Sequence, residues 1–278
     1  MENQYGEPMP PKMSWLTLFQ AEILREWNQL DAALSLLLQA IGLHQQAISI
    51  ESISFSLYGY AILLRIHLSR GDYDAARSAL QQVEHLGQSM NQPSYLHLRS
   101  FFTTIDQVRL WLACGEQDRA TCWLEELDLE VQHGTPFVHE REEVACVRIL
   151  LANKQPMVAL SQLEPMLQRA TTGQRWGHVI EMRLLQALAH HMCHQQEQAL
   201  STLSEAVRLA EPEGYIRTFV DEGAPMAALL SQLRKHHRKL GPTPYLDRYP
   251  PGRLSPAESG TETSVEADER AHNKVSPT

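Results

Sequence analysis

The sequence predicts an all-α protein: a right-handed superhelix of about five helical hairpins, closed by a C-terminal cap. Three observations lead there. A phrase recurs along the chain, as IHLSRGDYDAA at 66–76 and LWLACGEQDRA at 110–120, with weaker copies at 24–33, 150–159 and 189–199. Each copy is an apolar helical stretch, a turn residue, a short polar link and an alanine in the next helix. The marker alanines Ala33, Ala76, Ala120, Ala159 and Ala199 lie 43, 44, 39 and 40 residues apart, and a period near forty is that of a stacked repeat array. Within a copy the apolar residues keep helical spacing: Ile180, Leu184, Leu188 and Met192 form one stripe, and Ala199, Leu203, Ala206 and Ala210 form its partner.

Taken in order, residues 1–14 are a polar lead-in with Pro8, Pro10 and Pro11, expected to be disordered. Helical pairs are expected at about 15–46, 50–89, 94–127, 137–172 and 176–210, making an array over 15–210. Five residues before each marker alanine stand Asn28, Gly71, Gly115, Lys154 and His194. Glycine and asparagine suit the left-handed conformation that ends a helix, and lysine and histidine complement the helix C-terminal dipole. Small alanines let the two helices of a pair approach. Trp27, Trp111, Trp123 and Trp176 are expected to fill the space between layers. Residues 211–248 form the cap, with a helix at about 225–236 that has Pro225 in its first turn. Tyr215, Phe219 and Asp221 are read as covering the last apolar layer. Residues 249–278 are rich in Pro, Ser, Glu, Thr and Gly and are expected to be a disordered tail.

Composition narrows the function. A net charge of -9 argues against nucleic-acid binding by the chain as a whole, because phosphate contacts need clustered Lys and Arg. The basic run Arg234, Lys235, Arg238 and Lys239 is local and reads as a solvated helix end or a contact surface. Cys114, Cys122, Cys146 and Cys193 form no CxxC pair and read as apolar fillers in a reducing cytoplasm. No run of 18 apolar residues and no signal-peptide pattern is present, so a cytoplasmic protein without a membrane span is expected.

The residues also resemble a known family. The stretch AEPEGYIRTFVDEGAPMAALL at 210–230 is similar to the end of the helical-repeat domain in MalT-like transcriptional activators of the LuxR group. EWNQLDAA at 26–33, RWGHVIE at 175–181, QAL at 186–188 and TPYLD at 243–247 fit as well. The repeat phrases alone are shared by many tetratricopeptide (TPR-like) arrays. The resemblance implies a TPR-like sensor domain standing between a nucleotide-switching ATPase and a helix-turn-helix. These 278 residues contain no GxxxxGK[ST] phosphate loop, and after Asp247 they depart from the family. The expectation is therefore a fragment, frame-shifted product or split regulator without DNA binding of its own.

Residue chemistry offers few candidate sites. His190, His191, Cys193 and His194 are dense in metal ligands, but no single helix face gathers all four. HEREE at 139–143 lacks the second histidine of a zinc-protease motif. No metal, no cofactor and no enzyme activity are expected. Eleven residues before three successive marker alanines stand Arg65, Arg109 and Arg148, with Glu22 and Leu188 at the matching places of the first and last repeats. Either this row is a ladder of guanidiniums suited to carboxylate or phosphate, or each arginine pairs with an acid of its own or the next repeat. The expected partner is a small-molecule effector or a regulatory protein in the concave groove. The competing reading is a stand-alone scaffold that binds a protein segment.

Overall fold

The computed structural model describes residues 11–44, 50–89, 93–127 and 136–237. The described residues form twelve helices and no strand: α1 (Pro11–Glu26), α2 (Leu30–His44), α3 (Ile50–Arg70), α4 (Tyr73–Ser89), α5 (Pro93–Ala113), α6 (Gln117–Glu126), α7 (Pro136–Ala152), α8 (Pro156–Thr172), α9 (Trp176–Met192), α10 (Gln196–Ala210), α11 (Arg217–Val220) and α12 (Gly223–His237). The first ten are five successive pairs. Helix α1 starts at Pro11, inside the stretch expected to be lead-in, because proline suits the first position of a helix. Residues 1–10, the end of the cap at 238–248 and the tail at 249–278 lie outside the described residues.

Each pair is closed by the same backbone device. Asn28, Gly71, Gly115, Lys154 and His194 all have positive φ, between 57° and 74°. At each closure this residue and the next donate N–H groups to carbonyls three and five residues back. Lys154 bonds Leu151 at 3.0 Å and Gln155 bonds Leu150 at 2.8 Å; His194 and Gln195 bond His191 and His190 likewise. This is the Schellman arrangement, which satisfies the carbonyls left over at a helix end. The next helix begins at once: the N–H of Ala33, Ala76, Ala120, Ala159 and Ala199 each donates to the carbonyl four residues back, at Gln29, Asp72, Glu116, Gln155 and Gln195. All five alanines are 0% exposed. The same turn, with Gln174 at φ 52°, joins α8 to α9.

The core runs in layers along the stack. Leu18, Leu37, Phe55 and Ile62 join α1, α2 and α3; Ile105, Val147, Leu163 and Met182 join α5 to α9; Leu184, Leu203, Phe219 and Leu229 join α9 to the cap. Two expectations about large side chains need correction. Trp111 is buried and Trp123 packs on the core, but Trp27 is 46% exposed and Trp176 is 47% exposed. Trp27 immediately precedes a left-handed turn residue and Trp176 opens a helix, and both positions point off the packed face. Met192, at the end of its stripe, is exposed for the same reason, and Cys122 lies on the surface while Cys146 is buried. No described helix is long and apolar enough to cross a membrane.

The first helices of the pairs pack in a row, α1 on α3, α3 on α5, α5 on α7 and α7 on α9. The cap segment 216–222 touches α1, α3, α5 and α7 together through Glu26, Ser69, Arg109 and Arg148. A segment this short can reach four successive helices only if their row curves around it, so that face is concave.

Candidate ligand-binding face

Two registers of the repeat build the concave face. Eleven residues before the marker alanines stand Glu22, Arg65, Arg109, Arg148 and Leu188; seven residues earlier, close to two helical turns, stand Trp15, Tyr58, Phe102, Arg141 and Glu181. The second register escaped the sequence reading, although the same repeat spacing carries it. The structure brings its aromatic members together. Trp15 and Tyr58 stack with ring centroids 6.1 Å apart, and Tyr58 meets Phe102 at 5.0 Å. Arg65 lies beside this stack, its Nη2 donating to the Phe102 carbonyl at 3.1 Å.

Each arginine of the ladder is engaged. Arg65 bonds Asp106 of the next repeat at 2.8 Å and Glu22 of the preceding one at 3.1 Å. Arg148 bonds Glu181 of the next repeat at 2.8 Å. It also grips Glu222 with two parallel bonds, Nη1 to Oε2 at 2.9 Å and Nη2 to Oε1 at 2.8 Å. Such fork-to-fork contacts are the strong form of an ion pair. Arg109 Nη2 donates to the Asp221 backbone carbonyl at 3.0 Å and lies 3.8 Å from Glu222. An acid of the next repeat, as in one of the two sequence alternatives, meets Arg65 at Asp106 and Arg148 at Glu181, whereas Glu22 reaches Arg65 from the preceding repeat. The other acids come from the cap, from residues 74 and 112 positions away.

Asp221 therefore does something the sequence reading did not assign to it. Phe219 covers the last apolar layer and is fully buried, but the Asp221 side chain turns to the polar face. It accepts from Ser69 at 2.9 Å and Arg25 at 3.3 Å, and it pairs with Arg217 one helical turn back. Arg217 in turn donates to the Ser69 carbonyl at 2.6 Å and to Asn28 at 3.1 Å. Glu26 Oε1, at the end of α1, accepts the backbone N–H groups of Ile216 at 3.1 Å and Thr218 at 2.9 Å. The two ends of the array are thereby clamped. Beside the clamp Trp27 donates to the Glu213 carbonyl at 3.2 Å, and a cleft opens between Trp27, Gln29 and the 211–216 loop.

Among the described residues the charges on this face balance. Six guanidiniums (Arg25, Arg65, Arg109, Arg141, Arg148, Arg217) share this face with six carboxylates (Glu22, Glu26, Asp106, Glu181, Asp221, Glu222). Burial alone would raise the Glu181 pKa, yet Arg148, Arg141 and Arg109 bring it down to about 2. Glu22 is lowered in the same way, burial being overcome by Arg25 and Arg65. Glu26 goes the other way: burial lifts its pKa, and Arg25 and the Thr218 contacts offset only part of it. Burial opposes the charge on Arg148, but Glu222 and Glu181 prevail and lift its pKa above the ordinary guanidinium range. Among the described residues the buried Nε of Arg148 finds no hydrogen-bond partner.

The metal-like motifs have separate structural occupations. His190 and His191 contact different glutamines, Gln195 at 2.7 Å and Gln196 at 3.1 Å, and Cys193 meets Met157. Glu140 is buried against Arg175, at 2.5 Å, and His178. Among the described residues no three His, Cys, Asp or Glu side chains are arranged to hold a metal ion. The basic run is described only as far as Lys235, and Arg238 and Lys239 lie outside the described residues.

Stacked helical hairpins joined by buried ion pairs define an all-α helical-repeat domain. The MalT-like TPR region matches residues 2–236, and the chain belongs to that family. It is 26% identical over 239 residues to the HTH-type transcriptional regulator MalT of Cronobacter sakazakii, covering 84% of this chain and 25% of that protein. It is 26% identical over 226 residues to the regulator of the same name from Klebsiella pneumoniae, covering 80% and 24%. The chain thus spans about a quarter of the length of the curated relatives it matches.

Proposed function

We propose that this array is the signal-sensing and interaction domain of a MalT-like transcriptional regulator acting in the cytoplasm. It binds rather than catalyses, and DNA contact falls to another part of the regulator. The binding surface is the concave face around Arg65, Arg109 and Arg148, and the ligand is a small anionic effector or a regulatory protein. The observation that carries this reading is the alignment of the three arginines on one face, in the repeat register, where Arg65 and Arg148 already hold carboxylates and Arg109 a backbone carbonyl of the cap. Local field decides attraction there, despite the overall charge of -9.

A thermal-shift screen of the chain against a panel of small carboxylates and phosphate esters tests it. At least one compound is expected to raise the Tm of the wild type and to leave the Tm of Arg109→Ala and Arg148→Ala unmoved. A panel without any arginine-dependent shift contradicts the sensing role of this face. A second reading, a stand-alone scaffold for a protein segment, draws support from the cap segment lying in the groove. Coding regions for an ATPase and a helix-turn-helix beside this gene would favour the regulator.

A further inference from the structure

We propose that the concave face is a docking groove for an acidic peptide segment of a partner protein, and that Asp221–Glu222 of the cap is its internal stand-in. This deepens the functional reading above, and rests on it, by naming the class of partner.

The contacts made by the cap are those of a peptide in a groove. Backbone and side chain are both read. Glu26 holds two successive-but-one N–H groups, at Ile216 and Thr218. Arg109 holds the Asp221 carbonyl. Arg148 reads the Glu222 carboxylate with its full fork, and Arg25 with Ser69 reads the adjacent Asp221 carboxylate. A compact anion such as phosphate would bring no N–H donors for Glu26, so a peptide fits better than a small anion.

Charge gives the second argument. Among the described residues six guanidiniums face six carboxylates with the cap in place; with the cap segment withdrawn, Arg217 leaves together with Asp221 and Glu222, and five face four. The vacated face carries one uncompensated buried positive charge, and a segment of net negative charge restores the balance. The cap segment is short and bounded at both ends. It is bounded by Gly214 (φ 72°) and Gly223 (φ 74°), two left-handed positions at which the chain changes direction. Between them Phe219 and Val220 anchor to the apolar layer, while Asp221 and Glu222 lie on the polar face. The acids thus belong to the polar face and not to the core. The face also keeps a donor that the cap leaves unused, the buried Nε of Arg148.

The test is fluorescence anisotropy with a labelled synthetic peptide of this chain's residues 214–223, GYIRTFVDEG, titrated into the full chain. A control peptide carries Asn and Gln at the two acidic places. The chain variant Asp221→Asn/Glu222→Gln is expected to bind the acidic peptide about tenfold more tightly than wild type, because the internal competitor is weakened. Adding Arg148→Ala is expected to abolish that gain, and the control peptide is expected to show none. Equal affinity of wild type and variant for the acidic peptide overturns the proposal, as does equal affinity of the variant for both peptides. Hydrogen exchange on the wild type serves if the variant fails to fold. Excess acidic peptide should speed exchange of the Ile216 and Thr218 amides, and unchanged exchange overturns the proposal. A thermal-shift panel that yields an arginine-dependent small ligand while the acidic peptide fails leaves the sensing role standing and removes only the peptide.

Discussion

The hairpin closures and the concave face repeat with one period, yet different physics holds them. At the closures, five alanines buried to 0% and five left-handed turn residues recur, and every contact is made within a few residues of chain. On the concave face the same register carries Glu22, then three arginines, then Leu188, and the partners come from neighbouring repeats or from the cap. A repeat array keeps its geometry where the helices meet and varies its chemistry where a partner is met. The largest effects of substitution should therefore fall on the charged face, where removing one group strands others, and smaller ones on the closures.

The largest is expected at Arg148. It is 8% exposed and joins Glu181 to Glu222. Arg148→Ala leaves both carboxylates without it in a buried setting, and a loss of about 3–5 kcal/mol in denaturant unfolding is expected. A loss under about 1 kcal/mol would show that the face behaves as an exposed surface.

Acid comes next. Glu181 has a folded pKa of about 2 against an ordinary 4.5, so its contribution is fully present above about pH 4.5 and is lost as pH falls toward 2. The size is about 3 kcal/mol. Glu22 acts in the same direction and Glu26, with its raised pKa, in the opposite one. Circular dichroism melts from pH 5 to pH 2 should show a steep fall in Tm for wild type and a shallower fall for Glu181→Gln. Parallel curves would remove Glu181 from the account.

At the closures the effects should be smaller and of either sign. Ala159→Leu inserts bulk at a position that is fully buried between two helices, and should cost about 1–3 kcal/mol. Lys154 holds φ 57°, a conformation that strains any residue with a Cβ, so Lys154→Gly should gain up to about 1 kcal/mol. Thermal unfolding of the two variants settles both, and a destabilised Lys154→Gly would mean that the lysine side chain outweighs the strain.

What was legible in the sequence follows the same division. The closures were readable because turn residue, polar link and alanine lie within six positions, so Gly71 to Ala76 is its own signal. Trp27 and Trp176 were misplaced because their size suggested burial, whereas their positions beside turns dictate exposure. The arginine row could be found by counting from the alanines, and the row of Trp15, Tyr58, Phe102, Arg141 and Glu181 could have been found by the same count. Asp221 and Glu222 could not. No local pattern tells which acid reaches Arg148 from 74 residues away, because that pairing depends on how far the row of first helices curves.

The central claim is that the cap carboxylates hold the arginines of the concave face, and a double-mutant cycle on Arg148 and Glu222 tests it most directly. Denaturant unfolding of wild type, Arg148→Ala, Glu222→Ala and the double variant gives the coupling energy. The bidentate pair seen between these two side chains predicts a coupling above about 1.5 kcal/mol. A coupling below about 0.5 kcal/mol, with all four proteins folded, would mean that the two groups act independently and that the cap does not hold the ladder.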